Sequence, residues 1–137
     1  MSKVCYCGSS NSYKECCEKF INSSQNAPTA EALMRSRYSA YATQAVGYLI
    51  ATTAVLQRKL LIKSDILEWS QSNKWNKLEI IEATENTVEF KAYYTDSNNL
   101  SYIHHEKSTF IIEDGKWCYV DGEFYWLLSD TTSNIYW

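Results

Sequence analysis

The chain has 137 residues, of which 45% are hydrophobic and one is proline; this fits one packed domain with a small appendage and excludes a disordered chain. Its 13 basic and 16 acidic residues give a formal net charge of −3 without a long run of like charge, so we expect neither nucleic-acid binding nor attachment to an anionic membrane. The sequence shows no membrane-spanning stretch and no signal peptide, which predicts a cytoplasmic protein.

The first feature along the chain is a group of four cysteines: Cys5, Cys7, Cys16 and Cys17. Because the cytoplasm keeps thiols reduced, their crowding indicates a metal site rather than disulfides. Four thiolates are the ligands of a closed structural zinc site, so we predict one structural Zn²⁺ with no coordination position left for a catalytic water. Iron on the same thiolates and a Cys16–Cys17 disulfide are the alternatives. Residues 1–22 contain few aliphatic side chains, so the metal is expected to hold this segment together.

After a short linker, Thr29 offers an N-cap for a helix that starts at Ala30. The apolar residues of this helix recur at spacings of three and four, which predicts one buried face. That face consists of Met34, Tyr38, Tyr41, Ala45 and Tyr48.

The middle of the chain predicts a second helix from about Thr53 to Ile62, then a short turn capped by Ser64 and Asp65. From Lys77 onward the pattern changes to the β-branched and aromatic residues of strands. The predicted strands are Leu78–Ile80, Thr87–Thr95, Tyr102–Ile112 and Lys116–Val120, with a hairpin turn at Asp114-Gly115. Helices followed by antiparallel strands predict an α+β fold.

The third predicted strand contains the most informative polar residues. If Phe110 points into the core, then Ser108, Glu106 and His104 point inward as well, because strand residues alternate between faces. A buried carboxylate needs a cationic partner, and we predict that Arg37 of the first helix is the partner of Glu106. We favour a structural ion pair that fixes helix against sheet; the alternative is a pair that orients a ligand in a cavity.

No set of catalytic residues can be assembled from the sequence. His104 and His105 occupy opposite faces of one strand, so they cannot chelate one metal or complete a catalytic triad. Cys118 is expected to be a buried, inert thiol. The apolar run Phe124–Leu128 is expected to dock on the domain or on a second subunit.

Two parts of the chain resemble known families. The segment from Cys5 to Cys17, CYCGSSNSYKECC, resembles the SEC-C zinc motif, which occurs at the end of the SecA translocation ATPase and in many small bacterial proteins. The remainder resembles the YchJ family in four stretches: Ala27–Tyr41, Tyr48–Thr52, His105–Phe110 and Trp117–Gly122.

The resemblance implies a SEC-C motif over residues 1–22 and a cone-shaped domain over residues 27–137. In that domain, which is similar to cystatin and to nuclear transport factor 2 (NTF2), helices pack on a curved antiparallel sheet. The family brings no established activity. Tyr6 stands where many members have proline, and Phe20 and Ile21 stand near a position where histidine is common. All four thiols are retained, and with no second motif after Trp137 one zinc ion is predicted.

Two classes of function follow from these expectations. The favoured class is non-enzymatic: a zinc-stabilised module that presents Tyr6, Tyr13, Phe20 and nearby lysines to a protein partner. The alternative is small-molecule binding or catalysis in the cavity of the cone, with Glu106, His104 and Arg37 as polar groups in an aromatic wall. A deep pocket with convergent polar groups would favour the alternative, and a filled cone would favour the first class.

Overall fold

The computed structural model describes residues 4–124 of the chain. Within this range five helices precede four strands. The helices are α1 (Glu18–Ile21), α2 (Ala30–Thr43), α3 (Val46–Ala51), α4 (Val55–Arg58) and α5 (Lys63–Ser72). The strands are β1 (Lys74–Ala83), β2 (Thr87–Thr95), β3 (Ser101–Glu113) and β4 (Lys116–Phe124). Apart from Phe124, the apolar run predicted to dock lies outside the described residues.

Helix α2 begins as predicted and ends earlier. The Thr29 hydroxyl accepts a hydrogen bond from the Ala32 backbone N–H at 3.0 Å, which is the expected N-cap. The helix stops at Thr43 because Gln44 adopts a left-handed backbone conformation with φ of 59°. Of the predicted buried face, Met34, Tyr38 and Tyr41 therefore lie on α2, whereas Ala45 and Tyr48 lie beyond its end.

The helices that follow α2 differ from the prediction. The second one was expected over Thr53–Ile62, but α4 spans only Val55–Arg58. Ser64 and Asp65 were expected to cap the next turn, yet they lie inside α5, whose N-cap position is Ile62. The short apolar and polar runs in this stretch do not define the helix limits, because tertiary packing decides where each short helix ends.

The four strands form an antiparallel meander in the order β1-β2-β3-β4. Asp114 and Gly115 have φ angles of 51° and 78°, which are the values of the predicted tight hairpin turn. One face of the sheet packs against α2, and burial alternates along β2 as a one-sided sheet requires. The α+β prediction is confirmed. No helix within residues 4–124 is long and apolar enough to cross a bilayer.

The N-terminal loop is part of the main core. Cys5, Cys7, Cys17 and Phe20 are buried together with residues of α2 and the sheet. The expectation that Phe20 is presented to a partner is therefore wrong, because its ring is only 9% exposed. The division into segments 1–22 and 27–137 stays a prediction.

Candidate functional site

A tight backbone turn brings the first cysteine pair to the second. The Cys5 N–H donates to the Asn11 carbonyl at 2.9 Å, and the Gly8 N–H donates to the Cys5 carbonyl at 3.3 Å. Gly8 has a φ of 91°, and a Cβ at this position would lie 3.2 Å from the Leu78 carbonyl oxygen. Glycine is favoured here because it accepts both the left-handed backbone and the close approach to β1.

The four predicted ligands lie together at the end of this turn. Their sulfur atoms are all within 4.8 Å of one another. The Cys7 and Cys16 sulfurs are 3.7 Å apart, and those of Cys16 and Cys17 are 3.9 Å apart. Tetrahedral Zn²⁺ with Zn–S bonds of about 2.3 Å places its sulfurs roughly 3.8 Å from one another. The cluster therefore fits a single four-coordinate metal ion.

Thiols of the cluster shift one another's pKa values. Hydrogen bonds from the Cys17 and Cys5 thiols lower the pKa of the Cys7 thiol, so this sulfur is the preferred thiolate. Hydrogen bonds to Cys5 and Cys7 raise the pKa of the Cys17 thiol, and burial raises the pKa of Cys16. A divalent ion removes this competition, because all four sulfurs can then bind as thiolates.

Side chains around the cysteines hold the loop in place. The Ser9 hydroxyl lies 3.2 Å from the Cys16 sulfur, and the Ser39 hydroxyl of α2 lies 3.6 Å from the Cys5 sulfur. Arg35 of α2 donates from Nη1 to the Cys7 carbonyl at 2.8 Å and from Nε to Glu31 at 3.0 Å. The sequence does not predict that Arg35 belongs to this site, since nothing in the spacing predicts where α2 crosses the loop.

The carboxylate of Glu106 is fully buried, as the strand alternation predicted. His104 Nε2 lies 2.7 Å from Oε1, while the hydroxyls of Ser108 and Tyr119 donate to Oε2 at 2.6 and 2.7 Å. Gly122 of β4 lies directly opposite Ser108, and a Cβ on Gly122 would collide with the carboxyl group of Glu106. Three hydrogen-bonding side chains and one glycine thus define the position of this carboxylate.

The predicted direct ion pair between Arg37 and Glu106 is wrong. Nη1 of Arg37 instead donates to the Leu49 carbonyl at 2.9 Å and to the Thr52 hydroxyl at 2.8 Å, at the end of α3. The guanidinium carbon lies 4.8 Å from the centre of the Tyr119 ring. Tyr119 therefore stands between the two charged groups and contacts both. The sequence alone does not link Tyr119 to either charge.

The two histidines lie on opposite faces of β3, as expected. His104 contacts Glu106 on the inner face, whereas His105 Nε2 lies 2.7 Å from a carboxylate oxygen of Glu89. In this arrangement the Ser108 hydroxyl donates to Glu106, so Ser108, Glu106 and His104 are not arranged as a nucleophile and its base. The thiol of Cys118 is buried, and burial raises its pKa.

A cavity of about 300 Å³ opens beside Arg37 and Tyr119, between the helices and β4. Its wall includes the apolar side chains of Leu49, Leu61 and Ile66. Glu106, His104 and Ser108 do not line it; they lie beneath the surface that Tyr119 and Gly122 form. Of the predicted polar residues, Arg37 is thus the one that reaches the cavity.

The fold agrees with the similarity of this chain to known proteins. The sequence model described as "YchJ, middle NTF2-like domain" matches residues 29–122. A UPF0225 protein of Geobacter sulfurreducens is 38% identical over 129 residues, which cover 89% of this chain and 80% of that protein. A UPF0225 protein of Vibrio vulnificus is 39% identical over 130 residues, which cover 90% of this chain and 77% of that protein.

Two solved structures share the fold. The solution structure of a SEC-C motif containing protein from Rhodopseudomonas palustris has a TM-score of 0.80 and 32% identity, and covers 90% of this chain and 98% of that one. The crystal structure of a SEC-C motif containing protein from Psychrobacter arcticus is 24% identical and has a TM-score of 0.73. The match covers 92% of this chain and 85% of that one. This chain belongs to the YchJ family, with an NTF2-like middle domain that follows a cluster of four cysteines.

Proposed function

We propose that Cys5, Cys7, Cys16 and Cys17 hold one zinc ion and that its role is structural. The proposal rests on the four sulfurs within 4.8 Å of one another, a spacing for one tetrahedral ion. All four coordination positions are filled by protein, so a bound ion would supply charge neutralisation and rigidity rather than an activated water.

The same structure supports a role for the loop as a protein-interaction module. Tyr6 is 39% exposed and packs edge-to-face on Tyr13, with the ring centres 5.3 Å apart. The neighbouring Lys14 is exposed. Rigid exposed aromatic pairs are typical anchors of protein interfaces, since they bury a large area with little loss of side-chain entropy. The partner proposed is another protein that docks on this face.

Metal analysis of the purified full chain tests the structural part. We expect about one zinc per chain, and loss of the metal in a variant with Cys16→Ser and Cys17→Ser. Because the cysteines belong to the main core, chelation should lower the thermal midpoint of the whole protein in one transition. Stoichiometric iron, or a chelated protein with an unchanged midpoint, would contradict the proposal.

Crosslinking in cell extract followed by mass spectrometry tests the interaction part. Tyr6→Ala should remove the partner that the unaltered chain captures, while Leu100→Ala, at an exposed leucine in the β2–β3 loop, should retain it. A partner captured equally by both variants would show that the Tyr6 face is not the docking surface.

A second candidate function is small-molecule binding, and the 300 Å³ cavity beside Arg37 is the observation that favours it. Ligand pockets in proteins have volumes from about 300 Å³ upward and combine apolar walls with a few polar groups. Screening of a fragment library against the zinc-loaded chain by ligand-observed NMR tests this candidate, which fails if no fragment binds.

A further inference from the structure

Strand β4 ends the meander, so one of its edges faces away from β3. At Tyr119 the chain between α3 and α4 occupies this edge. The Tyr119 N–H donates to the Thr52 carbonyl at 2.7 Å, and the Tyr119 carbonyl accepts from the Ala54 N–H at 2.8 Å. The chain then turns away into α4 at Val55. Beyond Tyr119, no segment of residues 4–124 pairs with this edge.

Gly122 directs its backbone N–H and C=O to the open edge. The Phe110 N–H donates to the Asn86 carbonyl, so the backbone groups of Phe110 point away from β4. Those of Ser108, two residues earlier on the same strand, point the same way. Gly122 is the register partner of Ser108, and the two form a pair without mutual hydrogen bonds. Gly122 thus offers one donor and one acceptor side by side at the edge.

These two backbone groups border the cavity of about 300 Å³, because Val120, Asp121 and Gly122 form its β4 side. No loop or helix within residues 4–124 donates to them or accepts from them. In ligand pockets, a few hydrogen-bonding groups beside apolar walls fix the orientation of the bound molecule. The open edge at Gly122 therefore gives the cavity a polar contact point that the rest of the protein does not use.

The size and the walls of the cavity indicate a small, mostly apolar ligand. A volume of about 300 Å³ corresponds to roughly ten water molecules at their share of liquid volume, which suits a single ring with about eight non-hydrogen atoms. Leu49 and Ile66 are buried side chains of α3 and α5, and Leu61 is half-buried in the connection before α5. A hydrocarbon ring against these side chains would gain about 25 cal/mol for each Å² of apolar surface removed from water.

The charged residues of the lining favour an uncharged ligand. Arg37 is 2% exposed and its Nη1 already donates to the Leu49 carbonyl, while the Thr53 hydroxyl donates to the same carbonyl at 2.8 Å. Asp121 pairs with Thr109 in the strand register, which places its side chain on the outer face of the sheet. A charged ligand would lose its hydration without gaining a partner of opposite charge.

We infer that this cavity binds a small, uncharged cyclic amide, whose N–H donates to the Gly122 carbonyl and whose carbonyl accepts from the Gly122 N–H. Its ring lies against Leu61 and Ile66. A small ring holds its amide cis, so the N–H and C=O of the ligand point to one side, as the two groups of one extended residue do. An open-chain amide is trans and points them to opposite sides. The inference rests on the candidate function of small-molecule binding and names the class of ligand.

Three uncharged probes of nearly equal size test the preference for a cyclic amide: ε-caprolactam, ε-caprolactone and N-ethylbutanamide. Each is titrated into the zinc-loaded full chain, and the dissociation constant is measured by NMR chemical shifts. We expect the lactam to bind about tenfold more tightly than the lactone, because the lactone has no N–H for the Gly122 carbonyl. N-ethylbutanamide should bind several-fold more weakly than the lactam, since its trans amide can reach only one of the two groups.

Two charged probes, cyclohexanecarboxylate and cyclohexylammonium, test the preference for an uncharged ligand. Both have a ring of similar size, so the apolar contact is kept and the charge is varied. Each is expected to bind more weakly than ε-caprolactam, because neither finds an opposite charge in the cavity. Tighter binding of either one would overturn the inference.

The backbone amide of Gly122 reports the location of binding. ε-Caprolactam should move its proton signal downfield, whereas the amide of Gly115, in the β3–β4 turn, should not change. Leu60→Trp narrows the cavity from its rim and should weaken binding several-fold. Leu56→Trp is the matched control, since both leucines are exposed, by 79% and 70%, and only Leu60 lines the cavity. Lactam binding that leaves the Gly122 signal unchanged would overturn the inference by placing the site elsewhere.

The remaining outcomes separate this inference from the function on which it rests. Equal binding of ε-caprolactam, the lactone and N-ethylbutanamide, all weakened by Leu60→Trp, would overturn the preference for a cyclic amide and leave the cavity as a binding site. Absence of lactam binding at millimolar concentration would overturn the inference as well. If the fragment library also gave no ligand, small-molecule binding would fail with it.

Discussion

Glu106 shows how a buried carboxyl group can be held without direct contact to the buried arginine of the same core. Oε1 lies 2.7 Å from His104 Nε2, and Oε2 accepts hydrogen bonds from the hydroxyls of Ser108 and Tyr119 at 2.6 and 2.7 Å. Together these hydrogen bonds offset much of the cost of burying the polar group. Gly122 completes the arrangement by leaving space where any other residue would place a Cβ.

Gly122→Ala is therefore expected to destabilise the protein by about 2 kcal/mol or more, because the new methyl group overlaps the Glu106 carboxyl group. The measurement is the free energy of urea unfolding. Gly47→Ala is the control, because nothing lies within 4 Å of the added Cβ and Gly47 is in α3. We expect this change to raise the free energy of unfolding by up to about 1 kcal/mol. Adding Glu106→Ala to Gly122→Ala should cost less than the two single changes summed; strict additivity would contradict the overlap.

At this scale the sequence predicted the burial of Glu106 but not its partners. Strand alternation is a local property, so the inner position of Glu106 followed from Phe110 alone. The partner of Arg37 depends on where α3 ends relative to α2, and no periodicity carries that information. Arg37 and Glu106 are predicted to pair because both are expected in the core, but in the structure Tyr119 lies between them.

Among the elements, α2 is the one that joins the cysteine loop to the sheet. Arg35 contacts the loop through the Cys7 carbonyl, and Ser39 contacts it through the Cys5 sulfur. The loop is consequently attached to a helix next to the four cysteines that could hold a metal ion. This dual attachment suits a structural metal site, in which the surroundings hold the ligands in position.

Arg35→Gln is expected to loosen this attachment, since it removes the charged donor to Cys7. We expect a loss of about 1–2 kcal/mol in unfolding free energy and a several-fold faster transfer of zinc to a chromophoric chelator. Glu31→Gln is the matched control: it removes the partly exposed 3.0 Å ion pair to Arg35 and leaves the Cys7 contact, so it should cost under about 0.5 kcal/mol. Equal rates of zinc transfer in the two variants would contradict the proposed attachment.

The elements themselves were predicted with uneven accuracy. Strand β2 and the Asp114-Gly115 turn match the structure, because strand propensity and turn chemistry are local. The helical region from residue 44 to residue 72 does not match, since its short helices depend on contacts with the sheet for their limits. The Thr53–Tyr119 bridge to β4, for example, lies immediately before α4.

At the scale of the whole molecule, several buried tyrosines link stability to high pH. Burial raises the pKa of the phenols of Tyr38, Tyr48 and Tyr119, with the Glu106 carboxylate adding to the effect at Tyr119. In the unfolded chain these groups lose their protons near pH 10, whereas in the folded protein they keep them. Because the unfolded state then binds fewer protons, the free energy of unfolding falls as the pH rises above about 10.

We therefore expect full stability below about pH 10 and a loss of about 1.4 kcal/mol per pH unit for each such tyrosine above it. Urea unfolding of the zinc-loaded chain from pH 8 to 11.5, with tyrosinate absorbance recorded in parallel, measures both quantities. Tyr119→Phe should reduce the slope by about one proton, while Tyr6→Phe, at an exposed tyrosine, is the matched control. The contrary outcome is a free energy of unfolding that does not change with pH, with every tyrosine ionising in the folded protein near pH 10. It would mean that these rings, and with them the inner face of the sheet, are exposed to solvent.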